Sequence, residues 1–217
     1  MLNIELARHN MIEQQVRPWD VLDSRVLGVM SAVPRENFVP EACRNLAFAD
    51  LCLPLGHDEV MMKPVVEGRV LQAVSPQAGE SVLEIGTGSG FITACLAKLA
   101  GEVRSVELHA DFADAARARL AAANIANARV ETADAVTAFD PDQTFDVMVV
   151  TGAVHALPQH WLGWLKPGGR LFAVVGDSPV QQAMLYTRDG DSWSEQALFE
   201  TDLPYLHHAE PPQRFVL

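Results

Sequence analysis

The sequence has little cysteine, little positive charge and no long apolar run. Its 217 residues contain three cysteines, Cys43, Cys52 and Cys95, and no Cys-x-x-Cys pair. An odd number cannot all pair within one chain, so reduced thiols and a cytoplasmic location are expected. The chain has 16 Lys and Arg residues and 28 Asp and Glu residues. The resulting net charge of −12 argues against nucleic acid or an anionic membrane as partner. No apolar run approaches the roughly 18–20 residues of a membrane span, and the first residues lack the cationic start of a secretory leader.

The hydrophobic content of 49% is enough to bury a full core, and the length suits a single domain. Apolar spacing predicts helices over 4–16, 23–33 and from Pro64 to 74, separated by an irregular stretch over 34–63. From residue 81, short apolar runs alternate with helical stretches, a pattern typical of βαβ units and a parallel sheet. Strands are predicted at 81–85, 103–107, 128–132, 145–150 and 170–175, with helices at 90–100, 111–122 and 158–165. Turn residues then separate 180–186 from 193–199, which indicates a terminal antiparallel meander.

These elements predict one α/β domain over residues 1–217, with a doubly wound, mostly parallel sheet. Residues 1–75 would form an N-terminal helical layer, and residues 76–217 would form the α/β core.

A glycine-rich turn is the most informative stretch of the chain. The predicted strand at 82–85 runs into Gly86, Gly88 and Gly90, and a helix follows at once. Such a turn lets the backbone approach a nucleotide-type ligand, and Glu107, 21 residues after Gly86, can accept hydrogen bonds from ribose hydroxyls. The nicotinamide fingerprint needs its third glycine at position 91, which is Phe. Because the carboxylate of Glu84 suits a ligand with an amine and a sulfonium, S-adenosylmethionine is favoured over a nicotinamide nucleotide or a purely structural turn.

Several motifs carry a resemblance to a known family. The stretch 82–90, the strand end Ser105-Val-Glu107 and the turn Ala133-Asp134-Ala135 resemble the cofactor motifs of class I S-adenosylmethionine-dependent methyltransferases. More narrowly, the chain resembles the protein-L-isoaspartate O-methyltransferases from about residue 8 to 200. The motifs are Val33-Pro-Arg-Glu-Asn-Phe-Val-Pro40, Leu53-Pro-Leu-Gly56, Glu84-Ile-Gly-Thr-Gly-Ser-Gly90 and Leu165-Lys-Pro-Gly-Gly169.

The resemblance implies a seven-stranded Rossmann-like methyltransferase sheet and a set of cofactor-binding positions. S-adenosyl-L-methionine would be bound and S-adenosyl-L-homocysteine released. Glu84 and the glycine loop would surround the methionine part, Glu107 would hold the ribose, and Asp134 would reach the adenine amino group. The positions carried over are Glu84, Gly86, Thr87, Gly88, Ser89, Gly90, Glu107, Leu108, Asp134 and Ala135.

The chain departs from the family on the acceptor side. Where the family carries Gln-Thr-x-Ser-x-Pro, this sequence has residues 59–64, in which Val60 and Met62 replace the hydroxyl side chains. An isoaspartyl carboxylate would lose hydrogen-bond partners there, and Glu59 would add like-charge repulsion if it points into the site. Met61 and Met62 form either an apolar wall for a substrate or part of the core.

Methyl transfer from a sulfonium is an in-line displacement, in which the protein mainly holds the reacting atoms in line. A carboxylate acceptor is already ionised at neutral pH and needs no general base, whereas a phenol or an amine would benefit from His57 or His155. No catalytic residue is therefore assigned; Val60, Met62, His57 and His155 are the acceptor-side candidates. No metal site is predicted, because His207, His208 and Glu210 match no metal-binding spacing and are interpreted as an ordinary polar tail.

Three functions remain open at this point. The first is an enzyme that methylates isoaspartyl residues of damaged proteins. The second is a small-molecule methyltransferase with a changed acceptor, for which Val60 and Met62 would be an asset. The third is a non-catalytic S-adenosylmethionine-binding protein. The acceptor and the oligomeric state are not predicted.

Overall fold

The computed structural model describes residues 3–190 and 192–212. Six helices occur in this part of the chain: α1 (Ile4–Met11), α2 (Ser24–Ala32), α3 (Pro64–Val74), α4 (Phe91–Leu99), α5 (Ala110–Ala122) and α6 (Gln159–Leu162). The strands are β1 (Leu53–Gly56), β2 (Glu59–Met61), β3 (Ser81–Ile85), β4 (Glu102–Glu107), β5 (Ala128–Thr132), β6 (Phe145–Val154), β7 (Leu165–Val175), β8 (Gln181–Asp189) and β9 (Ser192–Thr201). No helix of the described residues is long and apolar enough to cross a membrane.

Seven strands form the central sheet in the order β5-β4-β3-β6-β7-β8-β9. The pairings from β5 to β7 are parallel, and β8 and β9 add the antiparallel meander. The predicted fold class is confirmed. Strand order reverses between β3 and β6, and ligands of open α/β sheets bind beyond the carboxyl ends of strands at such a point.

The sheet separates two apolar layers because side chains alternate along each strand. On β6, Val147 and Val149 pack with the N-terminal segment and α4, whereas Met148 and Val150 pack with the layer around α6. Trp161 of α6 is fully buried in this second layer, and its Nε1–H donates to the carbonyl of Ala135 at 3.2 Å. The first layer contains residues from both 1–75 and 76–217, and the division at residue 75 stays a prediction.

The N-terminal segment follows the predicted elements with one difference. The side chain of Asp23 caps α2 by accepting from the backbone N–H of Arg25 at 2.8 Å, and Pro64 opens α3, as helix-start rules favour. The helix predicted over 4–16 instead divides into α1 and a wider π-helical turn at Ile12–Val16. Residues 34–63 contain short 3₁₀ turns and the β1–β2 hairpin.

A buried ion pair supports the irregular stretch. Arg35 is fully buried and binds both carboxylate oxygens of Glu67 on α3, at 2.9 and 3.1 Å. The same guanidinium donates to the backbone carbonyls of Ala47 and Met62. One charged side chain therefore holds α3, the 3₁₀ region and the chain after β2 together.

The chain beyond β9 returns to the carboxyl end of β6. Ala153 donates to the carbonyl of Pro204 and accepts from the N–H of Leu206, both at 2.8 Å. The backbone N–H of His155 donates to the carbonyl of Ala209 at 2.8 Å. These hydrogen bonds place residues 204–209 over the edge of the sheet where the strand order reverses.

Candidate functional site

A cleft lies at this edge of the sheet, beyond β3, β4 and β6. Its walls come from the glycine turn, the ends of β4 and β5, the β1–β2 hairpin and the C-terminal segment. The lining residues are Leu55, Glu59, Val60, Ile85, Gly86, Gly88, Val106, Glu107, Leu108, His109, Phe112, Ala133, Asp134, Ala135, Val136, Thr151, Gly152, Leu206 and His207.

The glycine turn keeps its shape through backbone conformations that favour glycine. Gly86 has φ +91° and Gly88 has φ +51°, both in the left-handed region. A Cβ at Gly88 would lie 3.2 Å from Leu55 Cδ1, and one at Gly86 would lie 2.5 Å from Thr151 Oγ1. The cradle is therefore shaped for close approach of a ligand to main-chain atoms, as a nucleotide-type cofactor requires.

Glu107 binds the backbone on both sides of the cleft. One carboxylate oxygen accepts from the N–H of Gly88 at 2.8 Å, and the other accepts from the N–H of His109 at 2.9 Å. Each oxygen retains a further lone pair for a ligand hydroxyl. The geometry fits the ribose-binding role that the sequence predicts for this residue.

Asp134 lines the cleft at the end of β5 and also closes its own turn. Its carboxylate accepts from the N–H groups of Val136 and Thr137 and from Nδ1 of His208 at 2.7 Å. Burial acts to raise the pKa of Asp134, but hydrogen bonds from Thr137, Val136 and His208 hold it below its usual value. The site thus keeps a negative charge beside Leu108 and Ala135, which also line the cleft.

Glu84 lies behind the glycine turn, and its predicted contact with the methionine part of the cofactor stays a prediction. It is fully buried in β3, does not line the cleft, and accepts from the hydroxyls of Thr93 and Ser105. Burial, opposed by these two hydrogen bonds, raises the pKa of Glu84 to about 8. Its Oε1 has no hydrogen-bond partner among the described residues. The carboxyl group of Glu84 therefore joins β3 to α4 and β4 behind the glycine turn.

The remaining loop residues, Thr87, Ser89 and Gly90, lie on the inner side of the turn. Thr87 shares a 2.6 Å hydrogen bond with Ser105, Ser89 Oγ accepts from the N–H of Phe91, and Gly90 caps α4. Thr87 and Ser89 border a smaller cavity of about 310 Å³ together with Val60 and Met62. Their predicted contacts with the methionine part of a cofactor stay a prediction.

The acceptor-side candidates separate into two groups. Val60 lines both cavities, and Met62 is buried and borders the smaller one. His57 lies outside the cleft wall, stacked on His109 with ring centroids 4.1 Å apart and bound to Asp111 at 3.1 Å. His155 also lies outside it, and its Nδ1 pairs with Asp177 at 2.9 Å. The structure thus places Val60 and Met62 at the cavities, whereas His57 and His155 do not line them.

The sequence analysis did not single out Thr151, His109 or Leu206, and all three line the cleft. The sequence contains a signal for Thr151, because this polar residue directly follows the predicted apolar strand at 145–150. Its hydroxyl donates to the carbonyls of Ile85 and Gly86 and so fixes the start of the glycine turn. Leu206 gave no sequence signal, since it reaches the cleft only through the pairing of the C-terminal segment with Ala153.

Comparison with known families agrees with this geometry. The model of the protein-L-isoaspartate(D-aspartate) O-methyltransferase family (PCMT) matches residues 7–203. The chain belongs to this family. The resemblance stated from the sequence motifs is therefore confirmed, and with it the class of S-adenosylmethionine-dependent O-methyltransferases.

Relatives of the family share 33–40% of aligned residues with the chain. It is 40% identical to "Protein-L-isoaspartate O-methyltransferase 1" of Rhodopseudomonas palustris (strain HaA2) over 182 residues, 83% of this chain and 74% of that protein. It is 38% identical to the protein-L-isoaspartate O-methyltransferase of Methanoculleus marisnigri over 184 residues, 84% of each chain.

A solved structure confirms the fold. It is a putative protein-L-isoaspartate O-methyltransferase from Plasmodium falciparum, in complex with S-adenosyl-L-homocysteine. The TM-score is 0.79 at 17% identity, and the match covers 95% of this chain and 99% of that one.

Proposed function

We propose that this chain transfers the methyl group of S-adenosylmethionine to a carboxylate of isoaspartyl residues in damaged proteins. The observation that carries the proposal is the meeting of the glycine turn with Glu107 at the β3–β6 switch point. The named activity of relatives at 38–40% identity supports the same acceptor.

The described residues fit the cofactor by shape and by charge. When bound, S-adenosylmethionine supplies an electrophilic methyl group on a positively charged sulfonium. Glu59, Glu107 and Asp134 line the cleft and give it negative charge, which favours a cationic ligand. Gly86 and Gly88 leave the backbone open to close approach, and the carboxylate of Glu107 would accept hydrogen bonds from the ribose hydroxyls.

The protein's contribution to the transfer is positioning. An acceptor carboxylate, with a pKa of about 4, is ionised before it enters the site, so no side chain has to remove a proton. Hydrogen bonds from the Thr151 hydroxyl to the carbonyls of Ile85 and Gly86 fix the glycine turn. The turn lies beside the acceptor wall, which consists of Val60 and Met62. Holding the nucleophile and the methyl carbon in line accounts for most of the catalysis expected of such a site.

The acceptor wall is more apolar than the family pattern. Among the described residues that line the larger cleft, Thr151 is the one with a side-chain hydroxyl, and that hydroxyl donates to backbone carbonyls. Thr87 and Ser89 border the smaller cavity, and their hydroxyls are hydrogen-bonded to Ser105 and to the N–H of Phe91. Val60 and Met62 offer methyl and thioether groups instead. This observation favours a second candidate function, methylation of a small apolar molecule that carries a nucleophilic oxygen.

The test is methyl transfer from labelled S-adenosylmethionine to an isoaspartyl peptide, with the matched normal aspartyl peptide as control. Cofactor binding is measured calorimetrically on the same sample. The proposal expects label in a base-labile ester on the isoaspartyl peptide alone. Binding without transfer to either peptide overturns the proposed acceptor; turnover of a small-molecule acceptor would then support the second candidate, and lack of any turnover a non-catalytic binding role.

A reducing compartment, the cytoplasm, follows as part of the proposal. Cys43, Cys52 and Cys95 are free thiols in the structure, and Cys95 is buried. Burial raises the pKa values of Cys52 and Cys95, which disfavours the reactive thiolate form.

A further inference from the structure

Three residues from distant parts of the chain form a cluster at the open side of the cleft. Glu59 begins β2, His109 lies between β4 and α5, and His207 belongs to the C-terminal segment. One carboxylate oxygen and one nitrogen from each imidazole all lie within 4.8 Å of one another. Glu59 Oε1 and His207 Nε2 are 3.6 Å apart.

We propose that Glu59, His109 and His207 bind a divalent cation of the zinc class at the entrance of the cleft. Two imidazoles and one carboxylate are a donor set that zinc prefers, with ligand distances of about 2.0–2.2 Å. Around a tetrahedral ion these distances place ligand atoms about 3.4 Å apart. The Glu59–His207 pair, at 3.6 Å, is already close to this spacing. The other two pairs lie within 4.8 Å and need only side-chain adjustment to reach it.

The state of His109 suits a metal ligand. Its Nε2 is shielded from solvent and has no hydrogen-bond partner within the described ranges, 3–190 and 192–212. His57 stacks on His109 and itself binds Asp111, so the ring of His109 is held in place.

The charges around the cluster also favour a cation. Glu59 is half-buried, and the carboxylate of Glu107 lies near it. A bound cation would offset both the burial cost and the repulsion between the two carboxylates.

Three protein ligands leave at least one coordination position for water or another ligand, as in catalytic zinc sites. The cluster also joins the β1–β2 hairpin, the end of β4 and the C-terminal segment around one point. Metal binding should therefore stabilise this arrangement of the cleft wall in the absence of cofactor.

The test uses the tag-free full-length chain, stripped of metal, and titrates it with Zn²⁺ and with Co²⁺ in the absence of cofactor and peptide. We expect one equivalent to bind, with the visible Co²⁺ absorption of a low-symmetry site and a rise in melting temperature. Glu59→Gln and His207→Asn should each weaken binding by at least about tenfold and remove the melting shift.

His155→Ala is the matched control, because His155 also pairs with a carboxylate, Asp177, outside the cleft. It should leave stoichiometry and affinity unchanged. Circular dichroism of each variant separates loss of ligand from loss of fold. No binding by the folded parent chain, or unchanged affinity in both Glu59→Gln and His207→Asn, overturns the proposal. Because no methyl acceptor is used, these outcomes are independent of the isoaspartyl assay.

Discussion

The backbone N–H of Gly88 donates to a carboxylate oxygen of Glu107 at 2.8 Å. This hydrogen bond joins the glycine turn after β3 to the end of β4. The second carboxylate oxygen of Glu107 accepts from the N–H of His109, two residues further along, so the side chain is fixed between two parts of the cleft wall, the glycine turn and the end of β4. A substitution that displaces the turn should therefore act on cofactor binding through both parts of the wall.

Replacing Gly88 by valine should abolish cofactor binding measurable by calorimetry. The new side chain would meet Leu55 Cδ1 at 3.2 Å, and φ of +51° strains any β-branched residue. Gly190→Val is the control, since Gly190 has a similar φ of +60° with no heavy atom within 4 Å of its Cβ position. Equal affinity for the cofactor in the Gly88 variant and the parent would contradict the placement of the turn.

Glu84 should make the protein less stable as pH rises. Its pKa is about 8 in the folded state and about 4.3 when unfolded. Between these values the folded state binds more protons, so the free energy of unfolding falls as pH increases. Urea unfolding of the parent and of Glu84→Gln, at pH values from about 5 to 8, should show the parent losing stability relative to the variant. A constant difference across this range would exclude the raised pKa.

The Arg35–Glu67 pair should be costly to break. Glu67→Ala leaves a buried guanidinium without its carboxylate and should lower the free energy of unfolding by about 3–5 kcal/mol. Replacing both residues, as Arg35→Met with Glu67→Leu, should recover much of this loss. The exposed Arg17–Glu13 pair is the control, where Glu13→Ala should cost at most about 1 kcal/mol. Similar losses at the two sites would contradict the argument from burial.

Restoring a hydroxyl on the acceptor wall should raise activity toward isoaspartyl peptides. Val60→Thr keeps the side-chain shape and adds a donor that lines the cleft. A hydrogen bond to a charged group contributes about 1.5–3 kcal/mol, so kcat/KM should rise about tenfold or more. Val60→Ala, which adds no donor, is the control. An unchanged kcat/KM in the threonine variant would show that the wall differs from its relatives in more than this hydroxyl.

Met62→Ser tests the second replaced position. Met62 is 4% exposed and borders the smaller cavity, so serine there adds a hydroxyl but also removes buried volume. We expect the isoaspartyl activity to rise while the melting temperature falls. If Met62→Ser and Val60→Thr together still give no gain, the acceptor of this chain is a different molecule.

Local patterns were enough to predict most of the fold. Pro64, Asp23 and the glycine turn each mark a boundary through backbone chemistry that does not depend on the rest of the chain, and the structure has them as predicted. The π-helical turn at Ile12–Val16 was missed because its residues fit an ordinary helical stripe. Strands β6 and β7 extend beyond their predicted ends, since pairing between neighbouring strands continues past the apolar runs.

The site was only partly predictable. Glu107 and Asp134 follow strands and therefore reach the cleft by the rules of parallel sheets. His207 lies nearly 150 positions along the chain from Glu59. The two side chains approach each other because residues 204–209 pair with the end of β6. No spacing in the sequence encodes such a contact. The sequence predicts an ordinary polar tail for His207, His208 and Glu210; in the structure His208 pairs with Asp134, while His207 faces the hairpin.

The hydrogen bond from the Trp161 indole to the carbonyl of Ala135 gives the molecule an intrinsic optical reporter. Ala135 forms part of the cleft wall, whereas the indole lies fully buried on the opposite side of that turn. A ligand that shifts the turn changes the polarity and hydrogen bonding felt by the ring, so its fluorescence emission changes without any attached dye. Occupancy of the cleft can thus be followed in real time by tryptophan emission, with a Trp161→Phe chain as the spectral blank.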